Sequence, residues 1–224
     1  MTKIAVILAR GNSKGIKNKN IKTINNKPLI YWSINTCLKS KNIDTVWVSS
    51  DSKKILSLSK KFGANIIKRP KNISGDYSKS EKAWEHAIGF IKKNFSNVET
   101  VIGVQPTSPI RSYKTLDKAI NMFYKKKLDS LFTAEKVYNY FIWKKQGKKY
   151  IANYNYSNRP MRQEIEKKYL ENGSFYIFNA EKFLKEKCRL FGKIGCFTMG
   201  KVESFEIDNH EDLKLFNSLG KFFK

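Results

Sequence analysis

Residues 3–21, KIAVILARGNSKGIKNKNI, restrict the possible folds more than any other stretch of the chain. The unbroken apolar run from Ile4 to Leu8 suits a strand buried on both faces, as in a parallel sheet covered by helices. The character then changes at once. Residues 9–20 hold two glycines, three asparagines and the cations Arg10, Lys14, Lys17 and Lys19, with Ala9 and Ile16 the apolar exceptions. A loop leaving the C-terminal end of a buried strand is where open α/β sheets bind ligands. Flexible glycines, backbone N–H groups and fixed cations together make a phosphate cradle. The spacing fits neither GxxxxGK[ST] nor GxGxxG. On this chemistry alone two readings stand: an anion site, or a solvated basic turn in a lysine-rich chain.

The rest of the chain continues the α/β alternation. Strands are expected at 45–49, 64–67, 100–104, 130–134 and 173–178, with short ones at 196–200 and 204–207. Helices are expected from Asn26-Lys27-Pro28 onward, over 52–62 with Ser50 or Asp51 as cap, from Ser80, over 114–124 and over 211–222. Residues 140–143 and 149–152, separated by Gln146-Gly147, read as an antiparallel hairpin. The expected fold is a Rossmann-like, mostly parallel α/β sheet with a small antiparallel excursion. A single domain spans 1–224, with 138–170 as a lid or dimerisation arm. Of the further polar stretches, Arg69-Pro70 closes the third strand, 74–80 reads as a loop, and 105–111, at a strand's C-terminal edge, would face the same cleft as the first loop.

Composition narrows the class. At 224 residues the chain has room for a full core, and its 41% apolar share with four Trp and fifteen Phe excludes disorder. No segment reaches the length of a membrane helix and no cleavable leader is expected. Three widely spaced cysteines, Cys37, Cys188 and Cys196, suggest free thiols in the cytoplasm and no zinc site. The net charge of +25 invites a nucleic-acid reading, but the lysines are spread along the whole chain. Of 44 cations six are arginines, and where Lys is the default an Arg points to use of its planar fork.

The run AVILARGNSKGIKNKN (5–20) resembles the N-terminal motif of the acylneuraminate cytidylyltransferases, the CMP-sialic acid synthetases. The resemblance extends over nearly the whole chain. VSSDS (48–52) is similar to that family's VSTD, KRP (68–70) to its (L/K)RP and QPTSPIR (105–111) to its QPTSPLR. Arg162-Gln163 resembles its PRQ with Met161 in place of Pro. NGSFYI (172–177) resembles NGAIYI, and Glu206-Ile207-Asp208 stands where the family has Asp-Ile-Asp.

The resemblance implies a nucleotide-diphospho-sugar transferase fold and a homodimer, with neither nucleic acid nor membrane as partner. The reaction it implies is CTP plus a nine-carbon 2-keto sugar acid giving a CMP-sugar and pyrophosphate, with Mg²⁺ or Mn²⁺. Legionaminic and pseudaminic acid are alternative sugars, and a basic nucleic-acid-binding protein is the rival from another class. By the same likeness, Ala9, Arg10, Gly11, Asn12, Ser13, Lys14, Lys19 and Asn20 bind the nucleotide, with Arg10 and Lys19 on the triphosphate. Arg69, Ser78 and Ser80 lie near the base. Gln105, Ser108, Arg111, Arg162 and Tyr176 face the sugar, and Asp208 with Glu206 binds metal. Lys19, Arg10, Gln105 and Asp208 carry catalysis. Bland alternatives stand beside several of these: Asp208 as a helix cap, Arg111 as a brace of its two-proline turn, Tyr176 as core, and His86 as a packed helix residue.

Overall fold

The computed structural model describes every residue except 1, 14, 96, 138–140 and 219–224, with the backbone alone at 162. The N-terminal apolar run forms β1 (Lys3–Leu8), and the loop behind it ends in a 3-10 turn, Lys19–Ile21. There follow β2 (Thr23–Ile24), β3 (Lys27–Pro28), α1 (Leu29–Lys39), β4 (Thr45–Ser50), α2 (Lys53–Lys61), β5 (Asn65–Lys68) and α3 (Ser80–Asn94). The second half contains β6 (Thr100–Val104), α4 (Tyr113–Lys125), β7 (Ser130–Val137), β8 (Trp143–Gln146) and β9 (Lys149–Ala152). It closes with β10 (Lys168–Asn179), α5 (Ala180–Glu186), β11 (Ile194–Met199) and α6 (His210–Ser218).

Among the described residues the main sheet has seven strands in the order β11-β7-β10-β6-β1-β4-β5. The neighbours β5, β4, β1 and β6 pair parallel, β11 pairs parallel with β7, and β10 runs antiparallel between β6 and β7. The expected α/β class is therefore the observed one. Strand β1 sits centrally: the chain first steps outward through β4 and β5, then returns to the other side of β1 at β6. That reversal opens a crevice at the C-terminal ends of β1, β4 and β6.

Alternation along β1 divides the core. Ala5 and Ile7 face α1 and α4 with Ile30, Ile34, Leu116 and Ile120, whereas Ile4 and Val6 face α3 with Trp84, Ile88 and Ile91. A third, smaller core joins Ile16 of the first loop to Ile24, Leu29, Ile207 and Phe216. It pins both ends of the chain against each other beside the crevice.

Several expected boundaries differ. Helix α1 begins at Leu29 because Asn25 and Asn26 take φ of 46° and 63° in a two-residue turn between β2 and β3, leaving Pro28 extended as the cap. Ser52, not Ser50 or Asp51, caps α2 by accepting from the Ile55 amide. The hairpin is antiparallel as expected, but its first strand starts at Trp143 and pairs Gln146 with Lys149; Tyr140 lies outside the described residues. Residues 204–207 form no strand, because their backbone bonds run to loops: Ile207 N donates to Thr107 O at 2.9 Å and Ser204 N to Gly200 O at 3.0 Å. The last helix ends, within the described residues, at Ser218.

One glycine marks how tightly the α3 face is packed. A Cβ on Gly103 would stand 2.6 Å from Cζ2 of the buried Trp84. Gly103→Ala is expected to lower stability by about 1–3 kcal/mol, the usual cost of overpacking. Chemical denaturation would show an unchanged midpoint if Trp84 moved away freely.

Candidate active site

The crevice is a cavity of about 430 Å³ whose walls come from four segments. Its floor is the loop after β1. The Ala9 amide donates to Ser49 O at 3.1 Å and the Gly11 amide to Asp51 Oδ1 at 2.8 Å, so the end of β4 fixes the loop's entry. Ile16, buried in the third core, fixes its middle. Asn20 Nδ2 donates to Arg10 O at 3.0 Å and closes the loop on itself, while Asn20 Oδ1 is buried with no partner. Arg10, Ser13, Lys19 and Asn20 line the cavity. Ala9 is buried beneath it, Gly11 is spent on Asp51, Asn12 is exposed outside the lining, and Lys14 lies outside the described residues.

The far wall is the segment between β5 and α3. Arg69 is buried, with its Nε donating to Ser74 Oγ at 3.1 Å. Burial, opposed by Asp51 and aided by Arg10, lowers its pKa. Arg10 Nη1 reaches across to Asp76 Oδ1 at 2.8 Å and Gly75 O at 3.4 Å, tying floor to wall. Ser78 and Ser80 line this wall. His86 does not line the cavity, and burial together with Arg69 lowers its pKa.

Gln105, Pro106 and Thr107, at the end of β6, form the third side. The other sugar-facing expectations are not brought to the cavity. Ser108 is buried and its hydroxyl donates to Glu206 Oε1 at 3.4 Å. Arg111 is 2% exposed, with its fork on Ser174, Ser33 and the Gln105 carbonyl, the bracing role. The Tyr176 ring is core between Trp84 and Arg189, and its hydroxyl donates to Glu171 Oε1 at 2.5 Å; burial, then Glu171, raises its pKa. The side chain of Arg162 lies outside the described residues.

The fourth side comes from the chain's other end. Lys19 Nζ donates to Ile207 O at 2.9 Å and to Asp208 Oδ1 at 3.1 Å. Asp208 does not cap α6. Asn209 does, accepting from the Glu211 and Asp212 amides, while Asp212 accepts from the Asp208 and Asn209 amides in return. The Asp208 side chain is thereby left at the cavity edge, 68% exposed and paired with Lys19. Sequence reasoning missed three positions. Asp51, read as a cap, anchors the loop; Asp76 pairs Arg10; Gly15 is pressed on the Asp208 carbonyl, where a Cβ would sit at 2.2 Å. The glycine of the SKG run was the available signal for that contact.

The model of the cytidylyltransferase family matches residues 4–222. The chain belongs to that family. It is 34% identical over 209 residues to N-acylneuraminate cytidylyltransferase A of Danio rerio, covering 91% of this chain and 47% of the fish protein, about half its length. It is 29% identical over 227 residues to the pseudaminic acid cytidylyltransferase of Campylobacter jejuni, covering 99% of this chain and 97% of that protein. A CMP:2-keto-3-deoxy-manno-octonic acid synthetase solved in complex with CTP shares the fold, with a TM-score of 0.72 over 100% of both chains at 16% identity.

The carboxylates near the cavity suit a hard divalent cation in one particular way. Among the described residues no three His, Cys, Asp or Glu side chains cluster. Mg²⁺ commonly takes one or two carboxylates plus substrate phosphates, and Asp208 offers one carboxylate to the cavity. Glu206, expected beside it as a second ligand, faces Ser108 and Gly173 and does not line the cavity. Burial, then the Asp208 charge, raises its pKa to about 7 against the opposing Ser108, Lys19 and Arg111.

Two outcomes follow from this geometry. The folded state holds the Glu206 proton up to about pH 7, whereas the unfolded chain releases it near 4.5, so stability falls as pH rises between those values. Glu206→Gln removes that slope: in metal-free buffer its melting temperature should exceed that of the parent at pH 8 and converge toward pH 5. Parallel profiles would contradict a buried carboxyl. Separately, Gly15→Ala should lower stability by about 1–3 kcal/mol, since the clash must be relieved by parting the loop from Asp208. Differential scanning calorimetry measures it.

Proposed function

We propose that this chain is a CMP-sugar synthetase, transferring CMP from CTP to the anomeric hydroxyl of a nonulosonic, sialic-acid-like sugar acid. The observation that carries the reading is the meeting of Lys19 and Asp208 at the mouth of a cavity already furnished with Arg10 and Arg69. The relatives named for N-acylneuraminate and pseudaminic acid support the acceptor class.

In this reading the hydroxyl oxygen bonds to the α-phosphorus, the bond to the β-phosphate bridging oxygen breaks, and pyrophosphate departs. Such transfers depend on positioning and on neutralising charge that builds on the phosphates. Lys19 and Arg10 supply that neutralisation from the loop, with Ser13 and, by likeness, Lys14 beside them. Arg69, Ser78 and Ser80 enclose the base, and the unpartnered Asn20 Oδ1 is an acceptor in the floor beside them. Gln105 orients the acceptor hydroxyl, and the Arg162 segment meets the acidic sugar. Asp208 would hold Mg²⁺ or Mn²⁺, which when bound offsets triphosphate charge. The working form is a cytoplasmic homodimer, with residues 138–170 as its arm; the exposed Trp143, Tyr150, Ile151 and Tyr156 of that region support a protein-covered surface.

Pyrophosphate release with each NTP against a panel of nonulosonic acids tests the reading. CTP should far exceed ATP and GTP, and release that ignores the sugar acid would overturn it. Within the loop, Lys19→Ala should cut kcat by about a hundredfold, as loss of one preorganised donor does. Lys17→Ala, at an exposed position, should be nearly silent. Equal losses would mean a generic basic turn.

A further inference from the structure

Gln105 is held by its backbone to an unusual degree. Its amide donates to Ser174 O at 3.1 Å, and its carbonyl accepts from Arg111 Nη2 at 3.3 Å and from Ser33 Oγ at 3.5 Å. The same guanidinium donates through Nη1 to Ser174 O and Oγ at 2.7 and 2.8 Å, and through Nη2 to Ser33 Oγ at 3.0 Å. Thr36 Oγ1 on α1 donates to the Arg111 carbonyl at 3.2 Å. One buried fork thus joins α1, the loop after β6 and the irregular stretch of β10, where pairing shifts register between Glu171 and Tyr176.

As a stability device this arrangement is poor. Arg111 forms no ion pair among the described residues, and its Nε is buried without a partner. A buried guanidinium hydrogen-bonded to neutral oxygens, with Glu203 and Glu206 acting on it only from beyond ion-pair distance, costs more than an apolar side chain of similar volume. What a planar fork supplies, and an apolar group does not, is fixed geometry among several acceptors at once.

We propose that Arg111 and Ser33 are positioning residues that set the Gln105 backbone and so aim its side chain into the cavity. This rests on the reading above, in which Gln105 meets the acceptor sugar. Ser33 is buried on α1 and does not line the cavity, so its effect must pass through the other two residues.

Ser33→Ala should lower kcat for the sugar acid about tenfold, the kinetic equivalent of one net hydrogen bond. CTP affinity, measured without sugar, should stay within about twofold of the parent, because the floor and far wall are untouched. Arg111→Lys should lose about a hundredfold, since one ammonium cannot hold the four acceptors on Ser174, Ser33 and Gln105 in register. The deciding comparison is the double variant: in a Gln105→Ala background, adding Ser33→Ala should cost nothing further. An undiminished loss in that background, or full activity in the folded single variant, overturns the proposal. Hydrogen exchange across residues 105–107 is a readout independent of turnover. It should quicken in Ser33→Ala, and unchanged protection there overturns the positioning role even for a protein that makes no CMP-sugar. Absence of pyrophosphate release from the parent, with quickened exchange in the variant, would instead sink the functional reading and leave the clamp standing.

Discussion

The contact on which the site depends is that of Lys19 Nζ with the Ile207 carbonyl and the Asp208 carboxylate. It ties the first loop of the chain to the last. A pair in which Asp208 is so exposed adds little to stability. Its value lies in placement: the cation and the carboxylate that phosphate chemistry needs stand 3.1 Å apart before any substrate arrives. The third core bears the cost of holding them there. Ile16 from the loop packs with Ile207 and Phe216, and Gly15 lets the two backbones touch. Packing fixes the backbone, and the backbone fixes the charges.

The second cation of the floor is treated alike. Arg10 meets Asp76 and the Gly75 carbonyl across the cavity. The floor cations therefore already have partners within the protein. Under the proposed function an incoming triphosphate would exchange those partners for its own oxygens, and so the net charge of +25 says little about how tightly the cavity binds an anion. What matters is whether the internal partners can be released, and both carboxylates are partly exposed at the cavity edge.

The motifs of the sequence located the cavity well and its lining less well. The run 3–21, the end of β6 and Asp208 all arrive where the spacing led one to expect. The errors share one cause: a motif names neighbours along the chain, while facing is decided by distant contacts. Tyr176 lies in the NGSFYI motif, yet it pairs with Gly103, and Trp84 fills the space which that glycine leaves. Arg111 belongs to QPTSPIR, yet the two prolines turn the chain under the cavity, where Ser33 and Ser174 take its fork. Asp208 reads in sequence as a ligand or a cap alike, and the contacts of Asn209 and Asp212 decide between them. The asparagine turn at 25–26 escaped notice because strands of two residues leave no periodic signal.

The division of labour between the two cations was the deepest information in the composition. Each arginine whose side chain is described has surroundings that suit a planar guanidinium. Arg10 and Arg111 each reach more than one acceptor, Arg69 is buried against Ser74, Arg159 lies 4.3 Å over Phe141, and Arg189 pairs with Glu81 while stacking near Trp84 and Tyr176. These are planar, weakly hydrated groups suited to partial burial. Lysines, compact and strongly hydrated, mostly remain in solvent and raise the charge without organising the fold. Lys19 breaks the pattern, being 14% exposed and bonded to a backbone carbonyl. A lysine drawn that far from water in a chain so rich in exposed ones needs a reason beyond composition. The rigid carbonyl and the mobile carboxylate supply it: the first fixes the ammonium, and the second can be exchanged for phosphate without moving it.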